Sequence, residues 1–113
     1  MNVASLELCK ELYEVSGWKN TEYFYSSENK VHRTQIEDDD FYGEIWPAYD
    51  LGYLLRKLPQ PTYIYGLGDA YSYPQWIAKA THQNIVGEQK AETPEDATAK
   101  LAIELFKQGV LTK

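Results

Sequence analysis

Residues 93–109 read TPEDATAKLAIELFKQG and contain the strongest secondary-structure signal in the chain. Thr93 is a typical helix N-cap, and a proline followed by two acidic residues fits the first turn, where carboxylates meet the positive end of the helix dipole. Apolar residues then recur at helical spacing until Gly109, a residue typical of helix ends. The stretch predicts an amphipathic helix, with Val110 and Leu111 folding back onto the core.

Two further helices are predicted upstream of this one. The first covers residues 5–16, is capped by its initial serine and stops at Gly17. The second follows Pro47 and ends before Pro59, because proline cannot continue a helix. Its apolar stripe consists of Ala48, Leu51, Leu54, Leu55 and Leu58. Gly52 lies inside that helix, where we expect close packing against a neighbour to explain a glycine.

Aromatic and β-branched residues separate the predicted helices. Residues 21–45 predict two or three short antiparallel strands, with turns at 26–29 and 37–40. Three more strands are predicted at 62–65, 73–80 and 85–89, around loops that contain Gly66, Gly68 and His82. Pro74 favours an edge position or a bulge for the second of them. The pattern predicts one α+β domain spanning residues 1–113, in which a small antiparallel sheet packs with three helices in the order helix, strands, helix, strands, helix.

Composition restricts the class of protein. The chain has 113 residues, 43% of them hydrophobic and 25% charged, which suits one globular domain. Its net charge of −6 argues against direct binding to nucleic acid. No apolar stretch is long enough for a membrane span or a signal peptide, and the single cysteine, Cys9, excludes an internal disulfide, so we expect a cytoplasmic protein.

Cys9 lies on an apolar helix stripe and is expected to be buried rather than nucleophilic. Gly66-Leu67-Gly68 lacks the third glycine of a dinucleotide fingerprint, and no cofactor is predicted.

The segment between Thr34 and Leu55 carries negative charge and contains neither lysine nor arginine. We call the following residues the acidic segment: Glu37, Asp38, Asp39, Asp40 and Glu44. A solvated turn is the simplest interpretation. The functional alternative is a surface that imitates a phosphate backbone and occupies the basic groove of a nucleic-acid-binding protein. A third interpretation is a divalent-cation site, for which Asp38, Asp39, Asp40 and Asp50 are the candidate ligands.

Tyrosines are concentrated in the middle of the chain, where seven of the ten lie between Tyr42 and Tyr73. Tyrosine and tryptophan give large contact areas at low entropic cost and are common in recognition surfaces. One hypothesis is a nucleotide site in which Tyr49, Tyr53 and Trp76 stack on the base while Arg56, Lys57 or His82 meets the phosphate. A second hypothesis is a loop that closes over a flat ligand. Its residues are Tyr63, Tyr65, Tyr71 and Tyr73. An ordinary hairpin turn is the simpler interpretation of the same residues.

Three stretches resemble small uncharacterised proteins of bacteriophages and prophages. They are ELYE with SGW at residues 11–18, PAYDLGYLLRKLP at 47–59 and TPEDATAKLAIELFKQG at 93–109. The resemblance carries no catalytic motif. It implies a role against host defence, by blocking a host protein or by sequestering a nucleotide signal.

The sequence therefore predicts a phage-type binding protein without enzymatic activity, whose partner is a host protein or a small nucleotide. A homo-oligomer is also expected, because a small sheet with three helices tends to leave a strand edge or an apolar patch exposed. The alternatives are a small metal-dependent hydrolase or nucleotide-processing enzyme, and a minor virion component. Metal-dependent turnover would favour the enzyme.

Overall fold

The computed structural model describes residues 2–26, 30–33, 45–67, 75–82 and 85–112. Its elements are α1 (Leu6–Ser16), β1 (Tyr23–Tyr25), β2 (Val31–Arg33), β3 (Trp46–Ala48), α2 (Leu51–Lys57), β4 (Thr62–Leu67), β5 (Gln75–His82), β6 (Ile85–Ala91) and α3 (Pro94–Lys107). The predicted α+β class and the order of its elements are confirmed. The described strands form two antiparallel three-stranded sheets, β2-β1-β3 and β4-β5-β6, rather than one. In the described part of the chain, no helix is long and apolar enough to cross a membrane.

The predicted ends of α1 and α3 are confirmed by their capping contacts. The Ser5 hydroxyl accepts from the Leu8 amide at 3.4 Å, and Gly17 ends α1 in a left-handed conformation with φ 69°. At α3 the Thr93 hydroxyl accepts from the Asp96 amide at 3.1 Å. Gly109 follows the helix with φ 79°, and the amides of the next two residues donate to the Leu105 carbonyl. The Ser5 and Thr93 hydroxyls thus accept from amides that have no partner inside the helix, because the first amides of any helix lack one.

The start of α2 differs from the prediction. Residues 46–48 pair with β1 as a strand, so Ala48 belongs to β3 and not to the helix. Asp50 explains the difference: its backbone is extended, and its carboxylate accepts from the Tyr53 amide at 2.7 Å, which fixes the helix start at Leu51. The expected close packing at Gly52 is also absent from the described residues, since a Cβ there would approach nothing nearer than 3.5 Å.

Strands β4 and β6 are longer than the sequence indicates, and β5 ends two residues later. β4 continues through Gly66, which was expected in a loop, and β6 continues to Ala91. β5 includes His82 as its last residue, where a loop was predicted. Tyr73 and Pro74, the predicted start of this strand and its edge marker, lie outside the described residues. Sheet pairing holds these extra residues because each strand extends for as long as its neighbour offers hydrogen bonds.

Helix α3 packs on the inner face of β4-β5-β6, where small residues allow it to approach closely. Ala78, Ala80 and Gly87 are buried there. A Cβ atom at Gly87 would lie 2.9 Å from Leu101 Cδ1 and 3.2 Å from Leu105 Cδ2. Helices α1 and α2 pack against α3, so the core lies between them and the second sheet.

Polar contacts connect the N-terminal residues to this core. The Ala4 carbonyl accepts from the Tyr25 hydroxyl at 2.6 Å and from the Cys9 thiol at 3.4 Å. The Ser5 amide donates to the Asp96 carboxylate at 2.7 Å, which joins the start of α1 to the start of α3. Burial raises the pKa of Tyr25 to about 12, because the phenolate would lose its hydration. The N-terminal segment is thus part of the packed core.

Candidate functional site

The two tyrosines predicted to stack on a ligand lie in the core. Tyr49 is fully buried, and its hydroxyl donates to the Trp18 carbonyl at 2.6 Å. Tyr53 is 7% exposed, and its ring centroid lies 5.5 Å from that of Tyr49. Burial raises the pKa of both phenols. The apolar stripe of α2 faces inward, so in the folded chain neither ring offers a free face to a base.

The cations expected beside those rings are placed differently from the prediction. The Lys57 ammonium lies over Trp18 at 5.7 Å and over Tyr53 at 5.6 Å from the ring centroids, as a cation–π contact. Arg56 is exposed on α2. Trp76 is on β5, where its ring covers Gly66 of β4, and in the described residues it forms no ring pair with Tyr49 or Tyr53. The side chain of His82 lies outside the described part. Within the described part of the chain, Tyr49, Tyr53 and Trp76 therefore do not form one stacking site.

The acidic segment, Glu37 to Asp40 with Glu44, lies outside the described residues. Of the candidate cation ligands only Asp50 is described, and its carboxylate caps α2. Within the described ranges, no group of three or more metal-ligating side chains is assembled. The interpretations of this segment stay predictions.

Cys9 is fully buried in α1, as its position on the apolar stripe predicts. Burial raises the pKa of its thiol to about 12. A thiol that is hidden from solvent and holds its proton is a poor nucleophile, because the thiolate is the reactive form.

The outer face of β4-β5-β6 carries exposed aromatic side chains. Directly paired residues of an antiparallel sheet point to the same side, so the register defines two rows across this face. One row consists of Tyr63, Lys79 and Glu88, and the other of Tyr65, Ile77 and Lys90. Tyr63 is 54% exposed and Tyr65 40%, whereas α3 covers the opposite face. We call these two rows the outer face.

A cleft of about 330 Å³ adjoins one end of the outer face, between the sheet and the first turns of α3. Its lining residues are Gln75, Lys90, Ala91, Glu92, Asp96 and Lys100. The Lys100 ammonium donates to the Lys90 carbonyl at 3.3 Å, which holds the end of this side chain beside β6. Lys90 belongs both to the cleft and to the row that contains Tyr65. Lys90 therefore joins the cleft to the row that contains Tyr65, in which the middle residue, Ile77, is buried at 2% exposure.

The surface combines three kinds of contact. Tyr65 offers a partly free ring, Lys90 and Lys100 offer ammonium groups, and Glu92 and Asp96 offer carboxylate oxygens. Neighbouring strands lie about 4.8 Å apart, so the backbones at Tyr65 and Lys90 are separated by roughly 10 Å. A ligand that carries a flat ring at one end and an anion at the other has suitable dimensions for this spacing.

Sequence reasoning missed most of this surface. It placed Tyr63 and Tyr65 on a predicted strand and gave them a ligand-binding role only as part of a loop, and it assigned no role to Lys79, Lys90 or Lys100. The alternation of Tyr63, Ile64 and Tyr65 was the available signal, because it separates an outward from an inward side of a strand. Which lysines share that side depends on the pairing of three strands, which a single sequence does not specify.

No family model, no curated protein and no solved structure matches this chain.

Proposed function

We propose that the protein is a binding protein without enzymatic activity that retains a nucleotide on the outer face and in the adjoining cleft. The observation that supports this proposal is the register of β4-β5-β6, which places the exposed Tyr65 ring in one row with the buried Ile77 and with Lys90 of the lysine-lined cleft. The base lies against Tyr65, and the phosphate lies beside Lys90 and Lys100. This site replaces the one predicted around Tyr49 and Tyr53.

The mixed charge of the cleft favours a nucleotide over a simple anion. Two ammonium groups attract phosphate, while the carboxylates of Glu92 and Asp96 would repel a bare anion. Carboxylates accept hydrogen bonds from ribose hydroxyls, as they do in dinucleotide-binding proteins. Each charged group of the cleft thus has a counterpart in a nucleoside phosphate. The net charge of −6 is compatible with this ligand, because the ligand responds to the local field.

The resemblance to phage proteins suggests the biological role. A protein that holds a nucleotide without converting it lowers the free concentration of that nucleotide, and a host defence system that uses the nucleotide as a signal would then be silenced. Blocking a basic host protein through the acidic segment, a metal-dependent hydrolase and a minor virion component stay alternatives predicted from the sequence.

Titration calorimetry with AMP, cyclic AMP, adenosine and inorganic phosphate tests the proposal. We expect a nucleotide to bind more tightly than either adenosine or phosphate, because each half makes only part of the contacts. Tyr65→Ala should weaken binding by about 1 to 3 kcal/mol through loss of stacking. A double variant, Lys90→Gln with Lys100→Gln, should weaken the nucleotide and leave adenosine unaffected.

Lys107→Gln is the matched control. It replaces one lysine in the same way at the other end of α3, where the ammonium pairs with Glu11 at 3.6 Å, and it should leave nucleotide binding unchanged. Native mass spectrometry with a panel of linear and cyclic nucleotides then reports whether the ligand is retained intact. A converted nucleotide would support the enzyme alternative. Binding that survives both cleft and tyrosine variants, but is lost with Arg56→Gln and Lys57→Gln, would return the site to α2.

A further inference from the structure

Strand β4 forms one edge of the second sheet. The order β4-β5-β6 gives β4 a single neighbour, and in the described part of the chain no residue pairs with its other side. A strand edge of this kind presents backbone N–H and C=O groups that can pair with a further strand.

The two edges of this sheet differ in composition. β6 carries Glu88 and Lys90, and charged side chains are a common protection of edge strands against further pairing. β4 reads TYIYGL over six residues and contains neither charge nor proline. Among the side chains of β4 that the structure describes, Tyr63 and Tyr65 are the exposed ones. β4 therefore lacks the features that discourage pairing, whereas β6 has them.

The sequence of β4 is complementary to itself. In an antiparallel pair centred on Ile64, Tyr63 lies opposite the partner's Tyr65, and Tyr65 lies opposite the partner's Tyr63. Thr62 then meets the partner's Gly66, and no like charges face each other. Aromatic cross-strand pairs stabilise antiparallel sheets. Such an interface presents the same surface on both copies, which is the requirement for a twofold dimer.

We propose that β4 pairs antiparallel with β4 of a second copy, so that the two sheets join into one six-stranded sheet. A twofold axis perpendicular to the sheet places both outer faces on the same side. Four tyrosines then form a continuous strip at the centre of the dimer, between two clefts. The role of this strip in holding the base rests on the proposed function, while the pairing of β4 does not.

Charge substitutions at the exposed tyrosines test the register. The double variant Tyr63→Lys with Tyr65→Lys places lysine opposite lysine in both cross-strand pairs, and the dimer should dissociate. Tyr63→Glu with Tyr65→Lys places opposite charges in both pairs, and the dimer should form again. All these changes are on the exposed side of β4, and circular dichroism confirms that each variant is folded.

Sedimentation equilibrium measures the outcome. The wild-type chain and the glutamate/lysine variant should have twice the monomer mass, and the lysine/lysine variant the monomer mass. A monomeric wild-type chain overturns the proposal, as does a lysine/lysine variant that remains dimeric or a glutamate/lysine variant that remains monomeric. Hydrogen exchange gives a second measurement: protection of the β4 amides should increase with protein concentration, and concentration-independent exchange contradicts pairing at this edge.

Calorimetry with AMP on the wild-type chain separates this proposal from the proposed function. A dimer that binds no nucleotide supports β4 pairing and refutes the proposed function. A monomer that binds nucleotide supports the proposed function and refutes β4 pairing.

Discussion

Gly87 of β6 lies directly beneath α3, in a space too small for a methyl group. The nearest atoms to an added Cβ belong to Leu101 and Leu105, at 2.9 and 3.2 Å, and Leu101 and Leu105 are fully buried. Gly52 is the opposite case, since its added Cβ would meet Arg56 Nη1 at 3.5 Å on an exposed surface. The two glycines therefore predict opposite effects of the same substitution.

Gly87→Ala should lower the free energy of unfolding by about 1 to 3 kcal/mol, the usual cost of overpacking a core. Gly52→Ala should raise it by up to about 1 kcal/mol, because alanine is the better helix former. Urea denaturation followed by circular dichroism measures both. Equal effects at the two positions would show that α3 does not approach β6 as closely as described.

At the residue level the sequence predicted the helix caps well and the burial of Tyr49 poorly. Ser5, Gly17, Thr93 and Gly109 act through neighbours in the chain, so local pattern identifies them. Tyr49 was assigned to a ligand surface and is a core residue, because burial depends on the packing of α2 against distant elements.

Among the secondary-structure elements, α3 contacts the most partners. It packs on the second sheet, on α1 and on α2. Its first turn also holds the start of α1, since Asp96 accepts from the Ser5 amide. The Asp96 carboxylate thus holds the start of α1 next to the start of α3.

Asp96→Ala should lower the free energy of unfolding by about 1.5 to 3 kcal/mol, because the Ser5 amide loses a charged acceptor in a partly buried position. Asp96→Asn retains an oxygen acceptor and should cost less. Thermal unfolding of the two variants gives the comparison. An asparagine variant as unstable as the alanine variant would indicate that charge near the helix N-terminus matters more than this hydrogen bond.

Prediction of elements succeeded where the signals were local. The helices followed from their periodicity, caps and prolines, except that the start of α2 depended on strand pairing between β3 and β1. The length of β4 and β6 also depended on their neighbours. The outer face emerged only from this register, which a single sequence does not specify even for strands that follow one another in the chain.

Across the whole molecule, several weak acids are buried in the core. Burial raises the pKa of the Cys9 thiol from 9.0 to about 12 and that of Tyr25 from 10.0 to about 12, and it raises the pKa of Tyr49 as well. These groups keep their protons in the folded chain at pH values where the unfolded chain releases them. Their contribution to stability is complete below the unfolded pKa values and is lost as the pH rises towards the folded values.

The free energy of unfolding should therefore fall between about pH 9 and about pH 12. The part of the tyrosinate absorbance that comes from the buried tyrosines should appear together with the loss of circular dichroism, since ionisation of the core requires unfolding. Tyr25→Phe should make the alkaline decrease shallower, at a cost of about 1 kcal/mol at neutral pH for the lost hydrogen bond. Stability that stays constant to the upper end of this range would contradict the burial of these groups.

The small residues beneath α3 also limit how this sequence can evolve. Position 87 has room only for glycine if the helix is to keep its distance from the sheet, and positions 78 and 80 line the same face with buried alanines. Exposed positions can diverge freely, so overall identity between descendants falls while this trio is retained. Remote homologues of this chain are therefore best recognised by two alanines on one strand and a glycine on the next, followed by a capped helix that begins with threonine and proline.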